Sequence, residues 1–207
     1  PTYGVDLAAI RVQGVDYLST LSRNTRYQIN RAHKEYKKLG TINLSRAENE
    51  VQALAFFSEI APLHKKRWGS KKGQSGFANP AFVNFHNALI KSAWGAGNID
   101  LWKLEVDGDV VSYFYNFIYR NKVYFYLSGL DNPNSAKLKP GMLGHALCIE
   151  FYLQNDLDYY DLMGGGERYK ASLAKRSVEL FKIAVQKPKL KFHIEFIIFH
   201  ARMISNS

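Results

Sequence analysis

The segment 137–144 has the residue types of an anion-binding site. It reads Lys-Leu-Lys-Pro-Gly-Met-Leu-Gly, and Pro140 suits the first position of a helix. A helix N-terminus offers an anion unpaired backbone N–H groups and the positive end of a dipole. Gly141 and Gly144 carry no side chain that would keep a phosphate oxygen from the backbone, and two lysines add positive charge. An ordinary Pro-Gly helix start has the same pattern, so the segment alone leaves both interpretations open.

Three predicted strands precede this segment and would position it. Residues 99–106, 110–119 and 123–130 are rich in aromatic and β-branched residues, and short polar turns separate them. The third strand ends on Ser128-Gly129-Leu130, where a glycine inside a strand indicates a bulge or a close approach of backbone. An ordinary strand-end glycine is the equal alternative.

The remaining elements follow from periodicity and from helix and turn signals. Towards the C-terminus we predict a helix over 145–154, a strand over 159–163, a helix that starts at 167 after three glycines, and a last strand over 178–185. Towards the N-terminus we predict a strand over 5–10, helices within 16–39, a strand over 41–44, and helices over 47–68 and 80–94.

Composition and charge restrict the class of protein. The 207 residues are 46% hydrophobic, which predicts an ordered globular chain, and no apolar run reaches the ~18 residues of a membrane span. A single cysteine, Cys148, excludes an internal disulfide framework and favours a cytoplasmic location. The scattered histidines show no metal-ligand spacing, so we expect no metal site. The net charge of +10 lies in basic clusters. Solvated faces are the simpler explanation of any one cluster, and the alternative is attraction of an anionic partner such as coenzyme A, tRNA or an anionic membrane surface.

Five short sequence motifs, in this order and spacing, resemble the core of the GCN5-related N-acetyltransferase (GNAT) superfamily. The resemblance is closest to the branch of polysaccharide-biosynthesis acyltransferases and Fem-type aminoacyl transferases. The motifs are Asp107-Gly108, Ser128-Gly-Leu-Asp131, Lys139-Pro-Gly-Met-Leu143, Tyr160-Asp161 and Tyr169-Lys170. The resemblance implies an α/β (α+β) fold with a mixed, mostly antiparallel central sheet flanked by helices. It also implies that the third long strand diverges from strand 159–163 and leaves a cleft for the acyl donor.

The resemblance also implies a division of the chain. Residues 1–40 would form an N-terminal strand and a basic helical segment at the junction to an upstream domain of the same type. Residues 41–207 would then form the acyltransferase domain.

Roles for individual residues follow from the same resemblance. The acyl-coenzyme A site would comprise Ser128, Gly129, Leu130, Lys137, Lys139, Gly141, Met142, Leu143 and Gly144. A backbone N–H near Gly129 or Leu130 would polarise the acyl carbonyl. Asp131 and Asp161 lie at the ends of predicted strands that face the expected cleft, so either could take the proton of the acceptor, directly or through water; Glu105, Glu150 and Glu167 are weaker candidates. Tyr169 would protonate the leaving sulfur, and Lys170 would offset the charge of the oxyanion. The more common GNAT pattern has Arg or Gln before two closely spaced glycines, and Lys139-Pro-Gly-Met-Leu-Gly144 departs from it.

Three classes of function stay open at this point. The first is transfer of an acetyl or longer acyl group from coenzyme A to an amine or hydroxyl of a small molecule or saccharide, such as a cell-envelope precursor. The second is a Fem-type transferase that uses aminoacyl-tRNA, for which the basic residues of 23–38 would suit RNA. The third is a non-catalytic binding module with the same fold.

Overall fold

Two tight hairpins form the centre of the molecule. The computed structural model describes residues 1–68, 75–131, 135–165, 168–181, 183 and 185, apart from the side chain of Trp68. Asp107 and Gly108 connect the first two long strands, and Arg120 and Asn121 connect the second to the third; all four residues have positive φ. Two-residue loops with positive φ match the right-handed twist of paired strands, so these turns fix the register of the sheet.

The hairpins belong to a mixed seven-stranded sheet with strand order β2-β3-β4-β5-β6-β1-β7. The strands are β1 (Thr2–Asp6), β2 (Ile42–Arg46), β3 (Ile99–Val106), β4 (Asp109–Tyr119), β5 (Lys122–Leu130), β6 (Tyr159–Gly164) and β7 (Arg176–Val178). Neighbouring strands are antiparallel except β5 and β6, which are parallel. The predicted mixed, mostly antiparallel sheet is therefore confirmed.

Helices cover both faces of this sheet. They are α1 (Leu7–Gln13), α2 (Arg23–Leu39), α3 (Glu50–Trp68), α4 (Pro80–Ala93), α5 (Pro140–Gln154) and α6 (Arg168–Leu173), with short 3-10 turns at Leu18–Thr20 and Gly76–Ala78. One hydrophobic cluster joins α1, α2, α5 and α6 to one face, and a second joins α3 and α4 to the other. The first cluster contains buried residues of α2, and β1 pairs with β6 and β7, so elements of segment 1–40 pack into the same sheet and core.

Strands β5 and β6 separate after a short contact. They pair only at Lys122–Tyr124 with Tyr159–Asp161, although β5 continues to Leu130 and β6 to Gly164. Tyr115 pairs with Leu127 and Asn116 with Phe125, so Tyr126 is the extra residue of a bulge in β5. A bulge bends its strand and increases the local twist. The predicted divergence of the two strands is confirmed, and it opens the cleft described below.

Two predicted strands are wrong in their bounds. The prediction of a strand over 5–10 is wrong because β1 ends at Asp6, whose carboxylate accepts the Ala9 N–H and caps helix α1. The predicted strand over 178–185 is wrong over its described part, because only Val178 belongs to a strand. Val178 already pairs with Thr2, the first residue of β1, so the ladder ends there. Apolar Leu180 and Phe181 are exposed instead.

Among the described residues, no helix is long and apolar enough to cross a membrane. The basic helix α2 has an apolar stripe that faces the core and a polar face that carries most of its charge.

Candidate active site

A cavity of about 300 Å³ lies where β5 diverges from β6, beside the start of helix α5. Most of its wall consists of residues that the sequence predicts as site residues. It is lined by Arg67, Ser128, Leu130, Asp131, Lys139, Pro140, Gly141, Met142, His145 and Tyr169. Residues from α3, β5, α5 and α6 therefore meet at one cleft.

The first turns of α5 form one wall. Gly141, Met142 and His145 share a helical face because residues three and four positions apart are neighbours on a helix. Lys139 is the N-cap residue and makes no capping hydrogen bond with its side chain; its Nζ donates to Gln28 Oε1 of α2 at 2.7 Å. Among the described residues, no side chain caps the N–H groups of this helix start, so these donors are of the kind that can bind an anion.

Strand β5 forms the opposite wall. After the bulge, Ser128 and Leu130 point to the cavity, and Gly129 points to helix α3. The Asp131 N–H donates to the Val111 carbonyl of β4 at 3.0 Å. Because backbone groups alternate along a strand, the Gly129 N–H also faces β4, whereas the Leu130 N–H faces the gap towards β6. Of the two predicted backbone donors, Leu130 has the suitable direction.

The glycine at 129 has a packing reason. A Cβ there would lie 3.0 Å from the Ile60 Cα and 3.2 Å from the Ile60 carbonyl oxygen of α3. A side chain at this position would force the backbone of α3 to shift, so the glycine lets α3 pack closely against the sheet. This close contact accounts for the glycine without any contribution from a ligand.

His145 forms the floor of the cleft and is a site residue that the sequence analysis missed. It is 1% exposed, and its ring packs edge-to-face against Phe125 and Phe114, with centroids 4.4 and 4.9 Å away. Its Nδ1 lies 3.0 Å from the hydroxyl of the fully buried Tyr160 of β6. Burial, followed by the charge of Lys170, lowers the pKa of His145 to about 3, so the imidazole is neutral near pH 7.

Tyr169 and Lys170 lie on α6, and the structure places them differently. The Tyr169 ring stacks on the His145 ring, with centroids 5.8 Å apart and an interplanar angle of 23°, and it lines the cavity. Lys170 is 6% exposed and does not line the cavity; its Nζ donates to the Gly164 carbonyl at 2.7 Å. Lys170 is close enough to influence His145 through its charge.

The two predicted carboxylates do not share the cavity. Asp131 lines its mouth, where Oδ1 lies 3.4 Å from Lys66 Nζ. Asp161 Oδ1 instead accepts the Thr2 hydroxyl and the Met163 N–H, both at 2.7 Å, and Asp161 does not line the cavity. Geometry therefore favours Asp131 over Asp161 as the carboxylate nearest to a bound ligand.

Three further predicted residues lie away from the cavity wall. A Cβ on Gly144 would clash with the Phe114 ring, so this glycine lets α5 pack onto β4 and does not face a ligand. Leu143 is buried in the core cluster shared with α2. The Lys137 side chain is exposed, and its N–H donates to Ser135 Oγ. Within the described part of the chain, no group of three or more His, Cys, Asp or Glu could hold a metal ion.

Comparison with solved structures shows the same fold in proteins of low sequence identity. FemX aligns with a TM-score of 0.59 and 12% identity, over 83% of this chain and 57% of its own. A conserved protein of unknown function from Bacteroides thetaiotaomicron aligns with a TM-score of 0.53 and 14% identity, over 83% of this chain and 54% of its own. The chain thus spans little more than half the length of these two structures. No curated protein matches it in sequence.

A sequence profile of a protein family shows to which family the chain belongs, which fold similarity at this level of identity does not. The profile described as Acetyltransferase (GNAT) domain matches residues 23–171, which include α2, both hairpins, the cleft and the start of α6. The match covers more than half of the sequence and confirms the resemblance that its motifs indicate. The chain therefore belongs to the GNAT superfamily of acyltransferases.

Proposed function

We propose that this protein transfers an acetyl or longer acyl group from coenzyme A to an amine or hydroxyl acceptor, such as a saccharide or a cell-envelope precursor. The observation that carries the proposal is the cleft between β5 and β6, where the start of helix α5 and residues of β5 line one cavity. The phosphates of the donor would lie on the first N–H groups of α5, beside Lys139. Its thioester would enter the gap between the two strands.

The chemistry of transfer follows from the groups on the cavity wall. The acceptor lone pair attacks the acyl carbon, the new C–N or C–O bond forms, and the carbonyl electron pair moves to oxygen. The Leu130 N–H, which faces the gap, would stabilise this oxyanion. As the carbonyl re-forms and the C–S bond breaks, Tyr169 would protonate the departing thiolate, and Asp131 would accept the proton of the acceptor, directly or through water.

A second candidate is transfer of an aminoacyl group from tRNA. The observation that favours it is the contact between Lys139 and Gln28, which joins the cavity to the basic helix α2. Seven lysines and arginines and one acid lie between Arg23 and Arg46, and a polyanion longer than coenzyme A could follow that surface. A tRNA donor carries an ester in place of a thioester, and the same backbone donor would serve it.

Release of the coenzyme A thiol from acetyl-coenzyme A, measured over a panel of amines and amino sugars, tests the first candidate. Asp131→Asn should lower the rate roughly 10²–10⁴-fold if Asp131 is the general base, and Asp161→Asn is the matched control with a carboxylate outside the cavity. Filter binding of aminoacylated tRNA, with an affinity that falls steeply as salt rises, would favour the second candidate. Binding of either donor without turnover of any acceptor would indicate a non-catalytic module.

A further inference from the structure

The hydrogen bonds of His145 fix which of its two ring nitrogens carries the proton. Tyr160 is fully buried, and within the described part of the chain its hydroxyl has no hydrogen-bond partner except His145 Nδ1. A buried hydroxyl proton needs an acceptor, so the Tyr160 O–H donates to Nδ1. Since the neutral ring carries one proton, that proton is on Nε2.

The remaining ring nitrogen, Nε2, belongs to a residue on the cavity wall. His145 Nε2 makes no hydrogen bond to any described residue, and His145 lines the cavity that Ser128, Leu130 and Tyr169 share.

Aromatic side chains from four elements hold the His145 ring in place: Phe114 of β4, Phe125 of β5, Tyr160 of β6 and Tyr169 of α6. Gly141, one turn before His145, leaves the adjoining helix surface without a side chain.

We propose that His145 is a catalytic residue that donates its Nε2–H to the carbonyl oxygen of the bound acyl group, as a second oxyanion donor beside the Leu130 N–H. This rests on the proposed function and adds a residue to it. During attack the carbonyl electron pair moves to the oxygen, which accepts the hydrogen bond; during collapse the pair returns and the bond to the leaving sulfur breaks. His145 keeps its proton throughout and acts neither as base nor as acid.

The chemistry of a neutral imidazole supports this role. Burial and the charge of Lys170 both disfavour the imidazolium, so the ring stays a neutral donor over the pH range in which acyl transfer proceeds. A neutral imidazole of lowered pKa can polarise a carbonyl, as enzymes that form enediolates demonstrate. A ring that cannot accept a second proton near pH 7 is unsuited to be the general base.

Two measurements test the proposal. Nitrogen-detected NMR of histidine-labelled protein without ligand should show His145 as the neutral Nε2–H tautomer from pH 5 to pH 8. With acetyl-coenzyme A and an accepted amine, His145→Phe should lower kcat roughly 10²–10³-fold with little change in KM, because an oxyanion donor acts in the transition state. His145→Gln, whose amide N–H can replace the Nε2–H, should restore much of that loss.

Three results would overturn the proposal: a charged ring, an Nδ1–H tautomer, or equal kcat in His145→Phe and the parent. Absence of acetyl-coenzyme A turnover in the parent would contradict the proposed function instead, and the NMR spectrum would still decide whether the Nε2–H is available.

Discussion

His145 and His86 are both buried, both surrounded by aromatic rings and both hydrogen-bonded to tyrosine, yet they lie on opposite faces of the sheet. His86 on α4 has each ring nitrogen near a hydroxyl: Nδ1 lies 3.4 Å from Tyr115 Oη, and Nε2 lies 3.1 Å from Tyr126 Oη. His145 on α5 has a described hydrogen-bond partner at Nδ1 alone, the Tyr160 hydroxyl. Burial lowers the pKa of both rings, and only for His145 does a lysine contribute.

This difference shows which property distinguishes a candidate catalytic histidine from a packed one. Burial and a lowered pKa occur at both positions, so neither property identifies the site. The distinguishing feature is a ring nitrogen that has no described hydrogen-bond partner, on a residue that lines a cavity. His86 completes the hydrogen bonds of the second hydrophobic cluster, whereas His145 leaves one donor for a ligand.

Among the tests of this contrast between the two histidines, the largest expected effect concerns the charge beside His145. Lys170→Met keeps the aliphatic chain and removes a buried ammonium, and we expect it to lower kcat roughly 10²–10³-fold if that charge stabilises the oxyanion. Lys91→Met on α4 changes the same residue type on an exposed face and serves as the control. Equal turnover in Lys170→Met and the parent, measured with an acceptor that the parent acylates, would mean that this charge takes no part in catalysis.

A second prediction concerns His86 itself. His86→Phe leaves the buried hydroxyl of Tyr115 without this partner, which we expect to lower the free energy of unfolding by about 1–3 kcal/mol. Activity per folded molecule should not change. Denaturant unfolding together with acyl-transfer kinetics checks both statements, and a large loss of kcat in a folded His86→Phe protein would remove the contrast between the two histidines.

A third prediction concerns the free energy of unfolding at acidic pH, where the effect of His145 is smaller. The unfolded chain protonates His145 near pH 6.5, but the folded protein does so only near pH 3, so stability is lost as the pH falls below about 6.5. The contribution of this one ring between pH 7 and pH 5 is about 2 kcal/mol. His145→Gln should reduce the difference between urea unfolding free energies at these two pH values by that amount. An unchanged difference would mean that the folded protein protonates His145 readily.

The sequence predicts the strands of the cleft better than the reasons for its glycines. Strands β3, β4 and β5 are predictable because aromatic alternation and polar two-residue turns are local signals. The roles of Gly129 and Gly144 depend on Ile60 and Phe114, which are distant in sequence, so only the fold reveals that both glycines serve packing. The wrong prediction of a strand over 5–10 has a local cause. The short apolar run fits both the strand period and the helix period, and the side chain of Asp6 caps a helix there.

His145 could have been found from the sequence. It lies three and four residues after Met142 and Gly141, so a helix starting at Pro140 puts all three on the face that meets a ligand at its N-terminus. A search for metal-ligand spacing cannot detect a single histidine of this kind. The sequence does not show that Asp131 lines the cavity and Asp161 does not, because both residues directly follow an apolar residue of a strand. The two differ in their hydrogen bonds: Asp161 accepts from Thr2 of β1 and from Met163 of β6.

The proposed function requires that the cleft beside α5 binds an acyl-coenzyme A donor. The most direct test is the thermal unfolding of the parent and of Gly141→Glu, each with and without acetyl-coenzyme A, with Gly95→Glu on an open surface as the control. We expect the ligand at ~100 times its dissociation constant to stabilise the parent and Gly95→Glu by ~2.7 kcal/mol. We expect little or no stabilisation of a folded Gly141→Glu, because the carboxylate would face the donor phosphates. Equal stabilisation of all three proteins would show that the donor does not bind at this cleft.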